Sequence, residues 1–163
     1  MREGGWMQPY GPAVLRLSIG SVFLAHGAQK LFGVWGGGGI GGTAAFFAQL
    51  GLAPALPLAL LVGGVEFIGG IMLLLGAFTR ATALVLALDM AVAIWKVHFF
   101  NGFFLNWNMV RGQGHGFEFN LSLAGALVAL ALTGPGILSV DGWRARSAEM
   151  RAYGRARLRS GSM

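Results

Sequence analysis

Four long apolar runs divide the chain, separated by breaks rich in glycine and proline. The first covers residues 13–35. As a helix it would be about 35 Å long at ~1.5 Å per residue, enough to cross a hydrocarbon core of about 30 Å. A turn-rich approach precedes it over residues 1–12, with Gly4, Gly5, Pro9, Gly11 and Pro12. Arg16 lies near its start, where a long side chain can snorkel to the headgroups. Gly33 and the run Gly36 to Gly39 end it, because each glycine costs a helix roughly 1 kcal/mol. Residues 36–54 then form an uncharged, glycine-rich connection. Within it Thr43 can cap a short segment, Ala44 to Leu52, which carries Phe46 and Phe47. That segment is expected to lie in the membrane interface or to cover whatever the spans enclose.

Pro54 and Pro57 open the second run, residues 55–78. Gly63, Gly64, Gly69 and Gly70 surround its single acid, Glu66, so another helix backbone can approach there. Gly76 with Thr79 and Arg80 makes a tight turn, and the third run, 81–100, returns antiparallel. Ala83, Ala87 and Ala91 give it a small-residue ridge for packing. A polar loop, 101–116, leads to the fourth run, 117–138, where Gly125, Ala129 and Thr133 make a similar face. Gly134-Pro135-Gly136 disturbs its last turn. Ser139 or Asp141 can then cap a basic, weakly amphipathic tail helix. The expected architecture is all-α: an integral membrane four-helix bundle, antiparallel up-down, over residues 1–142, with a basic cytoplasmic tail over 143–163.

Composition agrees with the pattern. The chain has 163 residues, 55% hydrophobic and 11% charged, against about 25% charged in a soluble domain. It has no cysteine, which excludes disulfides, thiolate metal sites and cysteine redox chemistry. Six arginines of the tail supply half of the twelve basic residues. In a membrane protein they read as an anchor to anionic lipid or a partner-protein contact, not a nucleic-acid patch. With four spans, Arg2, Arg16, Arg80 and the tail arginines share one side and Lys30, Lys96 and Arg111 the other. The positive-inside rule then puts both termini in the cytoplasm.

The remaining polar residues fall between the midplane and the outer surface of such a bundle. His26 and Lys30, four apart on one helical face, lie in the outer half of the first span. Glu66 and Asp89 lie near mid-depth, Lys96 and His98 near the outer end of the third span, and Glu118 and Asn120 at the mouth of the fourth. A charge at the bilayer centre costs about 2.5–3.5 kcal/mol, so these groups are expected to converge and neutralise each other. Glu66 should pair with His26 or Lys30, or carry a proton. Plainer readings exist. Lys30 and Lys96 can snorkel outward, and His98 beside Phe99 and Phe100 suits an interface. Glu118 suits the N-terminal turn of a helix, and Asp89 a structural tie between helices. His26 and Glu66, being deepest, are the residues assigned catalytic roles. Lys30, Asp89, Lys96, Glu118 and Asn120 are assigned to substrate binding.

The candidate chemistry narrows accordingly. A haem held by His26 and His98 conflicts with their different depths. His26, Glu66 and Glu118 are metal-ligand types without a metal-site spacing, so no metal is expected. A pocket of histidine and acids beneath an aromatic rim suits a quinone, whose carbonyls need donors and whose reduction needs protons. No cofactor motif is visible in the chain, so electrons would come from a bound substrate or another subunit.

The sequence resembles the DoxX family of small four-span bacterial membrane proteins. The likeness rests on Arg16 followed by Phe23-Leu24-Ala25-His26-Gly27-Ala28-Gln29-Lys30-Leu31-Phe32-Gly33, and on Glu66 followed by Gly69-Gly70. It continues through Leu75-Gly76-Ala77-Phe78-Thr79-Arg80, Gly116-Phe117-Glu118 with Asn120, and Gly134-Pro135-Gly136 before Ser139-Val140-Asp141. The glycine run 36–39 and the arginine-rich tail lie outside it. The resemblance implies a multi-pass protein of the bacterial inner membrane tied to redox metabolism, with relatives linked to quinone as an acceptor, and it implies no settled reaction. It leaves three readings: a quinone-linked redox subunit, a non-catalytic accessory subunit of a respiratory or photosynthetic complex, and a small transporter working by self-association.

Overall fold

The computed structural model describes residues 10–160, with side chains through residue 155. Residues 1–9 of the expected turn-rich approach, including Arg2, lie outside the described residues, as do the side chains of Arg157 and Arg159. Gly11 and Pro12, expected in that approach, instead open the first helix, where proline costs no hydrogen bond. The described chain is all-α. Helix α1 covers Tyr10–Phe32, α2 Gly39–Gln49, α3 Ala55–Leu75, α4 Thr79–Ala93, α5 Glu118–Thr133 and α6 Val140–Ser160. A π-helical turn, Ile94–His98, and a 3-10 turn, Phe99–Asn101, prolong α4.

Helices α1, α3, α4 and α5 form a closed ring in which each packs on the next, and α2 lies across α1 and α3. The core between them holds Ile19, Phe23, Leu73, Leu86, Met90 and Leu127. The glycines around Glu66 act largely as expected. A Cβ on Gly70 would strike the backbone of Leu24, and one on Gly27 the backbone of Phe67. Gly63 faces Leu31 and Gly69 faces Leu86, whereas Gly64 has open space. On α4, Ala83 is fully buried but Ala91 is exposed, so the expected ridge packs only at its start. On α5, Gly125, Ala129 and Thr133 face outward, while Leu127, Leu130 and Ala131 are buried. The small residues there are not the packing face.

Two helices are long and apolar enough to cross a membrane: α3, and α4 with its continuation to Asn101. A third span results if α1 and the segment Val34–Gln49 are taken together, although they meet at 101°. The fourth expected run is shorter than 117–138. Its helix has 16 residues, about 24 Å at ~1.5 Å per residue. It stops at Thr133 because Gly134 turns into a left-handed φ of 89° and Pro135 has no N–H to continue the ladder.

One end of the ring is built from charges; it corrects the expectation for Arg16 and decides between Ser139 and Asp141 as the cap of the tail helix. Arg16 does not snorkel. It is 1% exposed. Its Nη1 donates to Leu73 O and Leu74 O, and its Nη2 to Ile137 O and Leu138 O, at 2.8–3.2 Å. The first two belong to the last turn of α3, where carbonyls lack intrahelical partners and carry negative dipole charge. Gly76 makes room, since a Cβ there would collide with the Arg16 guanidinium. Arg80 serves α5 likewise, donating to Ala131 O and Leu132 O. Asp141 does not cap the tail helix. Its oxygens accept from the amides of Phe78 and Thr79 at the start of α4, at 2.9 and 2.8 Å. Ser139 caps α6 instead, accepting from Gly142 N at 3.1 Å.

Removing Arg16 would take a donor from four carbonyls, of which Leu73 O would keep the amide of Gly76. Arg16→Ala should destabilise the protein by about 3–5 kcal/mol. Arg16→Lys, which lacks the planar fork, should fall between. Thermal melts in detergent with a size-exclusion readout check this. Burial alone would raise the Asp141 carboxyl. The amides of Thr79 and Phe78, helped by Arg144, outweigh it and hold the carboxyl below the ordinary aspartate range. Its stabilisation is therefore present above the unfolded value of about 3.9 and lost as pH falls through the lower folded value. Asp141→Asn should cost roughly 0.5–2 kcal/mol near neutral pH, the usual worth of a cap, and the difference from wild type should shrink on acidification. Paired melts at about pH 7 and about pH 3 test it.

Candidate functional site

At the opposite end the helices leave a cavity of about 660 Å³, within the usual range of about 300–1,000 Å³ for a small-molecule site. Helix α1 contributes His26 and Lys30, α3 Glu66, α4 Asp89, and α5 Asn120. The π-helical turn adds Lys96 and His98, and the loop before α5 adds Leu105 and His115. Helix α2 closes one flank with Thr43, Phe46 and Phe47. The rest of the wall is mainly aliphatic, including Val22, Leu58, Val62 and Leu123.

The inner polar group is an ion pair. Lys30 Nζ donates to Glu66 Oε2, with Glu66 buried and Lys30 part-buried. Lys30 therefore does not escape to the headgroups, and it, rather than His26, meets Glu66. The antiparallel contact of α1 and α3 explains this. Gly27 lies against Phe67 and Leu31 against Gly63, which brings the Lys30 stem alongside Gly63, one turn from Glu66. His26 lines the same cavity one turn away from Lys30. Asp89 comes to the Glu66 carboxyl from α4. Its Oδ2 is buried and has no hydrogen-bond partner among the described residues. A buried acceptor without a donor is costly, so this atom is a natural contact for a ligand donor.

The other expected residues divide. Asn120 is buried in the wall, its Nδ2 3.5 Å from Met90 Sδ. Lys96 lines the cavity, and its ammonium lies 3.7 Å over the Trp95 ring, a cation–π contact. Glu118 is not in the lining. Its Oε1 accepts from Leu105 N at 2.8 Å, so it fastens the loop to the first turn of α5. Thr43 also takes a different part from the one expected. Helix α2 starts at Gly39, and the Thr43 hydroxyl reaches back to Gly39 O at 2.8 Å and Lys30 O at 3.1 Å, pinning α2 to the end of α1. The set His26, Glu66 and Glu118, considered as metal ligands, is not assembled. Among the described residues no three His, Asp or Glu side chains are grouped to hold a metal ion.

One cavity residue, His115, escaped the sequence reading, and His98 was counted among the converging groups without a site role. His98 reads as interfacial beside Phe99 and Phe100, and His115 as one polar residue in a polar loop. Their approach depends on a loop fold that no spacing reports. Gly116 N bonds to Phe104 O and Phe117 N to Gly102 O, folding the loop back over the cavity. The π-helical turn around Lys96 has no sequence signature either, although such turns are frequent at functional sites.

Comparison with known proteins identifies the family. The sequence profile of the DoxX family matches residues 11–99, which hold His26, Lys30, Glu66 and Asp89. The chain is 29% identical over 140 residues to Inner membrane protein YphA of Escherichia coli K12, covering 84% of this chain and 92% of YphA. It is 30% identical over 137 residues to Inner membrane protein YqjF of the same organism, covering 83% and 92%. It is 31% identical over 131 residues to a Bacillus subtilis protein named "Putative oxidoreductase CatD", covering 80% and 84%. No solved structure matches. The apolar helices and the inner-membrane relatives locate the protein in the inner membrane. The matched segment covers more than half of the sequence, and the chain belongs to the DoxX family of membrane proteins.

Proposed function

We propose that the cavity binds a quinone and that the protein is a quinone-linked redox subunit of the inner membrane. One observation carries this reading. A largely apolar cavity of about 660 Å³ ends on the Lys30–Glu66 ion pair and on Asp89, whose buried Oδ2 lacks a partner among the described residues. An apolar ring with oxygens at its edge needs such walls and such an end. His26 or the Lys30 ammonium would donate to a ring carbonyl, and Glu66 with Asp89 would exchange the proton that accompanies reduction. Reduction of a quinone to a quinol takes two electrons and two protons. The electrons would come from a reduced partner subunit or a reduced co-substrate. The printed name of the Bacillus relative CatD supports an oxidoreductase role.

The topology belongs to the same proposal. The ring α1, α3, α4 and α5 would make four spans with both termini in the cytoplasm. Arg16, Arg80 and the start of the arginine-rich α6 gather at one end, while Lys30 and Lys96 line the other. The positive-inside rule turns the first end toward the cytoplasm and opens the cavity in the outer half of the bilayer. A second reading, an accessory subunit in a larger membrane complex, draws on the outward-facing Gly125, Ala129 and Thr133 of α5. Such a small-residue face allows another helix to approach closely, from a partner or a second copy.

Purified protein in nanodiscs should bind a short-chain quinone, and His26→Ala, Glu66→Gln and Asp89→Asn should each weaken binding by about tenfold or more, near 1.4 kcal/mol. Unchanged affinity and turnover in all three would overturn the quinone site and leave the accessory reading. Because the native chain lacks cysteine, topology can be mapped without background. Gln113→Cys should react with an impermeant maleimide in intact spheroplasts, and Ala148→Cys only after permeabilisation. The reverse pattern would invert the orientation.

A further inference from the structure

The backbone determines what two histidines can offer at the loop end of the cavity. His98 Nδ1 lies 2.9 Å from the carbonyl oxygen of His115. A carbonyl only accepts, so this nitrogen carries the hydrogen, and the Nε2 of neutral His98 is an acceptor. The amide of Asn106 donates to His115 Nδ1 at 3.2 Å. That nitrogen therefore holds a lone pair, and neutral His115 carries its hydrogen on Nε2. Both residues line the cavity. Neither tautomer is free to change while the loop keeps its shape, and the loop is tightly held. Asn106 Nδ2 donates to Val110 O and Gln113 O, its Oδ1 accepts from Val110 N, and Asn101 Nδ2 donates to His115 O. One ring thus presents an acceptor and the other a donor.

We propose that His98 and His115 form a second recognition pole that binds a ligand hydroxyl, which donates to His98 Nε2 and accepts from His115 Nε2–H. This inference rests on the quinone reading and sharpens it. The inner group holds one oxygen of the ring, and the histidine pair holds another. A hydroxyl satisfies both rings at once. A carbonyl can accept from His115 but turns a lone pair toward His98 Nε2, so it satisfies only one of the two rings. The cavity therefore discriminates by chemical state. It favours a quinol over the matching quinone, and a ring oxygenated at both ends over one with a single hydroxyl. His98 and His115 would be specificity residues for the reduced form.

The test uses full-length protein in nanodiscs under anaerobic conditions, with three probes sharing one ring and tail: a quinol, its quinone and a monohydroxylated analogue. Wild type should bind the quinol about tenfold or more tightly than either of the others. His98→Phe and His115→Phe should each abolish that preference. Nitrogen-15 correlation spectra give a second measurement that needs no ligand and no variant. His98 should show its hydrogen on Nδ1 and His115 on Nε2. Wild-type binding of quinone without preference for the quinol would overturn the histidine pole and leave the quinone site standing. Retained preference in both variants would do the same. The opposite tautomer at either residue would overturn the pole whatever the binding result. Failure of all three probes to bind would overturn both proposals.

Discussion

Helices α1 and α3 touch backbone to backbone, at Gly27 against Phe67 and at Gly70 against Leu24. Any side chain at either glycine would force the helices apart. Two of the buried polar ties depend on this contact. Toward the start of α1 it carries Arg16 to the last turn of α3, close enough to reach the Leu73 and Leu74 carbonyls. Toward the end of α1 it carries Lys30 to Glu66. Close helix approach through small residues is a general means of association where lipid supplies no hydrophobic drive between helices.

The two ends of the bundle use charge in opposite ways. At one, three ionic groups are consumed by structure: Arg16 on α3, Arg80 on α5 and Asp141 on the first amides of α4. These are helix-terminus interactions, with cations on carbonyls and an anion on amides, and each follows the helix dipole. At the other end the polar groups are incompletely consumed. Lys30 and Glu66 satisfy one another, but Asp89 keeps a buried oxygen without a partner among the described residues. His98 on the π-helical turn and His115 in the loop bond through Nδ1. A structural end can be satisfied within the chain; an end that receives a ligand must leave atoms for it.

Much of this was legible in the residues. The run around Glu66, flanked by paired glycines, announces both a span and a close neighbour, because glycine in an apolar helix is costly unless something packs on it. His26, Lys30, Glu66 and Asp89 announce a polar site, because such residues are expensive in lipid. Other readings went astray for definite physical reasons. Arg16 looks like a snorkelling residue because its distance from the span end is all a sequence gives, yet four carbonyls were available inward. Glu118 looks like a pocket residue by depth, but its carboxylate turns to a loop amide. Gly125, Ala129 and Thr133 share a helical face, but periodicity does not say which face points inward.

Composition and the lengths of the apolar runs, by themselves, determined that this is an all-helical membrane protein and that its buried charges need one another. Those properties follow from transfer free energies, which depend on residue type and run length alone. Tertiary structure decided the pairings. Lys30 rather than His26 meets Glu66, because the α1–α3 contact sets their relative height to within a turn. His98 and His115 reach the cavity because a π-helical turn and a folded loop bring them there. Partner choice among polar groups depends on distances of an ångström or two, and only the packed chain defines those.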